Sequence, residues 1–283
     1  MAQAATTLPE ARSTPTVDFG AWGLRASVLI YLGALVVLPL VVISVEGFRS
    51  GLDSLWASIT RPAALQSIWL SVWTAAIMAV VNVFMGTLTA VVLARYRFPG
   101  KKLFNALIDL PFAIPTLVTG VMLVLLYGPQ TALGGWLDRE LGLRVVFSPP
   151  GIILALAFVG YPFVIRAVQP VLEALDTRPQ EAAFTLGASE WTAFRRIVLP
   201  ALLPSMIAGG LLSFARALGE FGSIIVVAGS ISKTAAVYIY GQVENGDMAS
   251  ASGVSLVMLL IALIVTTIVA RFSRRQNDAR KTR

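Results

Sequence analysis

The sequence predicts an all-α integral membrane protein that crosses a bilayer six times, with both termini cytoplasmic. Three observations carry this. Of 283 residues, 57% are hydrophobic and only 13% charged, against about a quarter charged in a soluble domain. The mean hydropathy is +0.79, and the apolar residues gather in runs long enough to cross a hydrocarbon core of about 30 Å at about 1.5 Å per residue. Finally, Lys and Arg fall unevenly between alternate connecting segments. So few charged groups cannot cover a water-facing surface; membrane lipid must cover it.

Runs this long and continuous mean helices, because in lipid each segment must satisfy its own backbone unless a barrel closes. The first is Leu24–Val45, with Pro39 near its far end, where a kink is expected. Then come Ser67–Ala94, Leu103–Tyr127, Gly151–Leu172, Ala201–Ala228 and Ser252–Ala270. Residues 1–21 are rich in Ala, Thr and Pro and lack an apolar face, which predicts a disordered cytoplasmic tail. They also lack the basic start and apolar core of a cleaved signal. The membrane domain is assigned to 22–271 and a basic cytoplasmic tail to 272–283.

Orientation follows from the basic residues. With the N-terminus inside, the cytoplasmic segments collect Arg12, Arg25, Arg95, Arg97, Lys101, Lys102, Arg166, Arg178, Arg195, Arg196 and the Arg-rich C-terminal tail. The outer segments hold Arg49, Arg61, Arg139, Arg144 and Lys233. The positive-inside rule then places both termini in the cytoplasm. The same placement accounts for the net charge of +7 without a nucleic-acid partner, for which no fold motif is present.

Cysteine and histidine are absent. Disulfides, thiolate nucleophiles, imidazole bases and the usual zinc sites are thereby excluded. Without clustered carboxylates either, a membrane-embedded enzyme is disfavoured. Lys233-Thr234 resembles the end of a phosphate loop, but Ser232 and Val227 stand where glycines are required. No cofactor site is expected in this chain.

Within the spans, Arg216 and Glu220 are an acidic–basic pair four residues apart, able to share a helix face and neutralise one another. A charge at mid-helix costs about 3 kcal/mol on insertion scales, so both are expected to face the bundle interior. They either present Arg216 to a passing anion or lock the fifth helix to a neighbour, and Gly219 and Gly222 favour close packing. Ser67, Ser71, Thr74, Met78, Asn82 and Thr89 form a stripe on the second span, which must turn to a neighbour or to a path. Pro111 and Pro115 break the third span, as in transporters with midplane sites. Asp109 and Arg166 are expected to pair or snorkel near the inner ends of their spans. Trp136, Tyr238 and Tyr240, in the outer connections Gly128–Pro150 and Gly229–Ala249, suit an interfacial belt.

The most informative stretch is polar: EAAFTLGASEWTAFRRIVLP, Glu181–Pro200, between the fourth and fifth spans. Pro179 suits the first turn of a helix. Phe184, Gly187, Trp191, Phe194 and Val198 follow at helical spacing, as one apolar face. Gly187 can stop that helix in left-handed conformation and Ser189 can cap a second. By pattern alone this island (coupling region 179–200) is either an amphipathic helix resting on headgroups or a docking element.

Its spacing resembles the EAA motif of bacterial ABC importer permeases: Glu181-Ala182-Ala183, three residues, Gly187, nine residues, Ile197, then Leu199-Pro200. The runs Asp109–Gly120, Phe158–Asp176 and Ser213–Ile231 are similar to sulfate/thiosulfate permeases of the CysT type. The resemblance implies a type I (MetI-like) fold in the bacterial cytoplasmic membrane and alternating access without catalysis by this chain. The island would be the coupling helix, with Trp191 and Phe194 anchored in a cleft of the ATP-binding subunit. Two such subunits would hold ATP and Mg, a CysW-like permease would complete the pathway, and a soluble sulfate/thiosulfate-binding protein would deliver the anion. Ser71, Thr74, Asn82, Pro115, Arg216 and Glu220 are the candidates for the path. A molybdate, tungstate or other oxyanion permease is the nearest alternative. A self-contained secondary anion transporter would leave the island without a purpose.

Overall fold

Every regular element among the described residues is helical. In the computed structural model these are 19–49, 51–229 and 232–281, with side chains described between 22 and 271. The expected tail therefore lies outside the description as far as residue 18, and Phe19–Ala21 already belong to the first helix.

Residues up to Val45 form a unit of their own. Here α1 (Phe19–Leu32) passes through one π turn, Gly33–Val37, into α2 (Leu38–Arg49). The N–H of Leu38 reaches back to the carbonyl of Gly33. That wider turn makes room for the ring of Pro39, which in an α turn clashes with the carbonyl four residues back. The expected kink is thus absorbed just before the proline.

The second unit begins at Glu46. Its helices are α3 (Leu52–Thr60), α4 (Pro62–Arg95), α5 (Lys101–Ala113), α6 (Thr116–Tyr127), α7 (Ala132–Leu141) and α8 (Pro149–Glu173). There follow α9 (Arg178–Thr185), α10 (Glu190–Ala193), a π turn at Phe194–Val198, α11 (Leu199–Leu218), α12 (Gly222–Val227), α13 (Ala235–Glu244) and α14 (Met248–Lys281). The second π turn again precedes a proline, Pro200, and its wider ring closes with the Leu199 N–H on the Phe194 carbonyl. Five stretches are long and apolar enough to span a membrane: Trp22–Arg49, Pro62–Arg95, Pro149–Glu173, Glu190–Leu218 and Met248–Arg271.

The third span is broken as its prolines predict: α5 and α6 meet at 109°, and only counted together do they make a sixth span. The break lies at Pro115 alone, since Pro111 stays inside α5. Pro115, at φ −56° and ψ 133°, is the N-cap of α6 and cannot continue α5. The fifth span does not run from Ala201 to Ala228. It starts at Glu190 and stops at Leu218, and Gly219–Phe221 separate it from the short α12. The connections expected on the outer side are also more ordered than loops, since they hold α7 and α13. Tyr238 is buried there against Ala64, Ala235 and Val254. At the chain's other end, the backbone of α14 continues as helix through the basic tail to Lys281.

Helices α4, α8 and α11 pack on one another. One apolar seam holds Ala75, Met78, Ile152, Leu156 and Leu218; the second holds Ala90, Leu93, Val164, Ile165 and Leu202. Gly160 sets the spacing, because a Cβ there would meet Ser213 Oγ at 2.5 Å and Asn82 Nδ2 at 2.9 Å. Small residues let helices approach where lipid supplies no hydrophobic drive between them. Arg61, the N-cap of α4, ties that end to the start of α14 by donating to Asp247 at 2.7 Å and Ser250 at 2.6 Å.

Candidate functional site

The island is built as two short helices around one turn. Pro179 sits in the first turn of α9. Asp176 accepts from the side chain and the backbone N–H of Arg178, and these bonds hold its carboxyl below the usual aspartate range. Glu181 accepts from the Thr177 hydroxyl at 2.8 Å. At the far end the N–H of Gly187 bonds the carbonyl of Phe184, and that of Ala188 the carbonyl of Ala183, both at 2.9 Å. This pair is a Schellman stop, and it requires the left-handed Gly187 at φ 82°. Ser189 then caps α10 by accepting from the Thr192 N–H.

The stop divides the expected apolar face. Phe184 lies before the turn and Trp191 after it, so the two do not continue one stripe. Trp191 and Phe194 stack, with centroids 5.9 Å apart and planes 21° apart. Their surroundings differ. Phe194 is half-buried against the cluster of Val198 and Leu202, whereas Trp191 is 67% exposed. Leu186, 89% exposed beside the turn, escaped the sequence reading; its signal was a lone large aliphatic next to the glycine. Glu181, Ala182 and Pro200 are exposed, and Ala183, Ile197 and Leu199 half-buried. Arg195 and Arg196 join Trp191 and Thr192 around a surface cavity of about 410 Å³.

Among the described residues one polar contact joins the island to the bundle: Arg95 donates to Gln180 Oε1 at 2.8 Å. Gln180 is buried, and its Nε2 has no partner.

The stripe on α4 turns inward. Ser67, Ser71, Thr74, Met78 and Asn82 are all buried. Ser71 accepts the N–H of Ala235 at 2.7 Å, and Asn82 donates to the Ala157 carbonyl and to Ser213 Oγ at 3.2 and 3.3 Å. Thr89 shares a hydrogen bond with the Tyr161 hydroxyl. Ser71, Asn82 and Thr89 are thus engaged with α13, α8 and α11, whereas Ser67 and Thr74 donate to carbonyls of α4 itself. Ser213 had no sequence signal of its own, because hydroxyls are unremarkable in membrane helices.

Arg216 and Glu220 do pair, at 2.9 Å, although α11 ends between them. The Glu220 side chain is 1% exposed and that of Arg216 38%. Glu220 also accepts from the N–H and hydroxyl of Ser223 at 3.1 and 3.0 Å, so its charge is met from three directions. It thereby fastens the break to α12, which packs on α6. A Cβ on Gly120 of α6 would meet the Ser223 carbonyl oxygen at 2.6 Å. The two broken spans are thus packed against each other.

Asp109 and Arg166 pair too, through a two-pronged contact at 2.6 and 2.8 Å. Arg166 also reaches Asn105 and Gln169, and Gln169 donates to Glu173. This network joins α5 to α8.

Residues 82–278 match the family described as the inner membrane component of binding-protein-dependent transport systems. The chain belongs to this family. Among its curated members, the sulfate transport system permease protein CysT of Escherichia coli is 37% identical over 254 residues, covering 87% of this chain and 91% of that one. CysT of Synechocystis is 38% identical, covering 85% of each. The E. coli permease protein CysW is 36% identical, covering 89% and 87%. Two solved ABC transporters share the fold. A chain of the bacterial alginate transporter superposes with a TM-score of 0.76 at 16% identity, over 91% of this chain and 95% of that one. A chain of the MetNI methionine transporter does so with 0.53 at 18%, over 76% and 99%. This permease is therefore a MetI-like helical membrane subunit, from a family whose members work with other proteins.

Proposed function

We propose that this chain is the non-catalytic permease subunit of an ATP-driven importer for sulfate and thiosulfate in a bacterial cytoplasmic membrane. The observation that carries the drive is the island. A firmly stopped helical turn holds Leu186 and Trp191 out into solvent on a segment too polar for lipid. Exposed aromatic and aliphatic anchors on a rigid support are what a protein interface uses. The distribution of Lys and Arg supports a cytoplasmic island and cytoplasmic termini, where two ATP-binding subunits dock. Closure of those subunits on ATP moves Glu181–Pro200, and the helices rock open to the outside; hydrolysis resets them. A CysW-like permease supplies the other half of the path, and a soluble binding protein delivers the anion. The relatives named for sulfate transport support the cargo, and Ser71, Thr74, Asn82, Pro115, Arg216 and Glu220 remain the candidate path residues.

Reporters fused near Asn105 and Glu190 should read cytoplasmic, and those near Asp138 and Asn245 external. An external reading at Glu190 sinks the docking role. Reconstituted with its partners, the complex should take up radiolabelled sulfate only with ATP, with thiosulfate competing. Uptake without ATP, or purification without an ATP-binding subunit, overturns the reading. Molybdate competing more strongly than sulfate moves the cargo to that oxyanion.

A further inference from the structure

At the end of α4 away from Arg95 and the island, a cavity of about 430 Å³ opens between the first turns of that helix and the start of α13. Gln66, Ser67, Trp69 and Trp73 form one wall, with Lys233 and Tyr238 across from them. Lys233 is the one charged residue in this lining, and no carboxylate is part of it. It is exposed, and no ion pair among the described residues includes it. The neighbouring cation, Arg61, is already committed to Asp247.

The rim is held firmly. Ser71 accepts the first N–H of α13, that of Ala235, at 2.7 Å, which fixes the residues just before it against α4. Thr234, between Lys233 and that anchor, is buried with its hydroxyl unpaired. Ser67 lines the cavity and is also the first member of the polar stripe that runs down α4 through Ser71 and Thr74.

We propose that this cavity receives the oxyanion at the mouth of the permease, with Lys233 as counter-charge and Gln66 and Tyr238 as hydrogen-bond donors. A dianion leaves water only where charge and donors replace its hydration, and a cation without a neighbouring carboxylate meets that need. Because Lys233 is exposed, the attraction is weak and screened by salt. That suits a station from which cargo must also leave. The proposal rests on the cargo being an oxyanion, and its test separates the two.

Trp69 and Trp73 make the site observable. The purified assembled transporter is titrated with sodium sulfate and, at matched ionic strength, with sodium chloride, while indole fluorescence is followed. Sulfate should give a saturable change that chloride does not; Lys233→Arg should keep it, and Lys233→Gln should weaken it roughly two- to fivefold. Trp69→Phe with Trp73→Phe should remove it. In vesicles, Lys233→Gln should raise the KM for sulfate by a similar factor with kcat little changed. No saturable sulfate response in the wild type, an identical chloride response, or a Lys233→Gln variant that titrates as wild type overturns the site. A wild-type response without sulfate uptake leaves the site standing and overturns the cargo. Uptake with no response overturns only the site.

Discussion

Arg95 Nη1 lies 2.8 Å from Gln180 Oε1, and this bond ties the last residue of α4 to the first turn of α9. The stripe-bearing helix is thereby joined to the island by a side-chain strut. A hydrogen bond from a charged donor contributes about 1.5–3 kcal/mol, too little for its loss to dismantle a bundle held by the packing of α4, α8 and α11. Arg95→Ala and Gln180→Ala should each lower sulfate taken up per ATP hydrolysed severalfold while ATP hydrolysis continues. Measuring uptake and hydrolysis together in vesicles checks it; an unchanged ratio in both variants removes the strut from the mechanism.

Gly187 offers a second handle. Its φ of 82° lies in the left-handed region, and a Cβ there meets nothing within 4 Å. The steric cost of a side chain is therefore confined to the backbone, about 1–2 kcal/mol, and asparagine, which tolerates this region, bears less of it. Gly187→Asn should stay close to wild type. Gly187→Asp places a charge beside Leu186 and should release the ATP-binding subunit on purification while membrane insertion persists. Normal uptake by Gly187→Asp, or equal loss in both variants, would count against a docking surface whose contacts are apolar.

The island was legible because its signals are local. Pro179, Gly187 and Ser189 each act within one turn, and each stands where its backbone role requires it. The membrane helices were legible as apolar runs, and the break at Pro115 was legible from the proline itself. The break at Gly219–Phe221 was not: apolar side chains fill α12 as they fill a continuous span, so it left little trace in hydropathy. What decides it is tertiary: Glu220 satisfying Ser223, and Gly120 admitting the backbone of α12. The contacts of Arg95, Gln180 and Ser213 were not legible for a related reason. Each finds its partner across a gap of 53 residues or more, beyond any periodicity.

Acid should loosen the joint between α4 and α14. Asp247 accepts from the backbone and side chain of Ser250 and then from Arg61, and these bonds hold its carboxyl below the ordinary aspartate range. A carboxyl whose folded pKa is depressed contributes stability above its unfolded pKa and loses it as pH falls through the folded value. Near neutral pH, Asp247→Asn should therefore melt below the wild type. The gap should close on acidification below about pH 4. Thermal unfolding of both proteins across this range is the measurement; a gap independent of pH would mean that the charge of Asp247 is not what holds the joint.

The Arg216–Glu220 pair separates packing from passage. Glu220 is enclosed and meets Arg216 and Ser223, while Arg216 keeps 38% of its side chain exposed. Removing one partner of such a pair leaves a charge without its counterpart, which costs about 3–5 kcal/mol at buried sites, whereas replacing both by apolar groups is often neutral. Arg216→Met should destabilise most, because it strands the enclosed carboxylate. Glu220→Gln should cost less, since its amide oxygen still accepts from Ser223. The double variant Arg216→Met with Glu220→Met should recover much of the melting temperature. Uptake then decides the role of the guanidinium. If the pair only fastens α11 to α12, the double variant recovers transport together with stability. If Arg216 also meets the anion, stability returns and transport does not. A double variant no more stable than Arg216→Met alone would show that Glu220 is held by Ser223 and not by its charge partner.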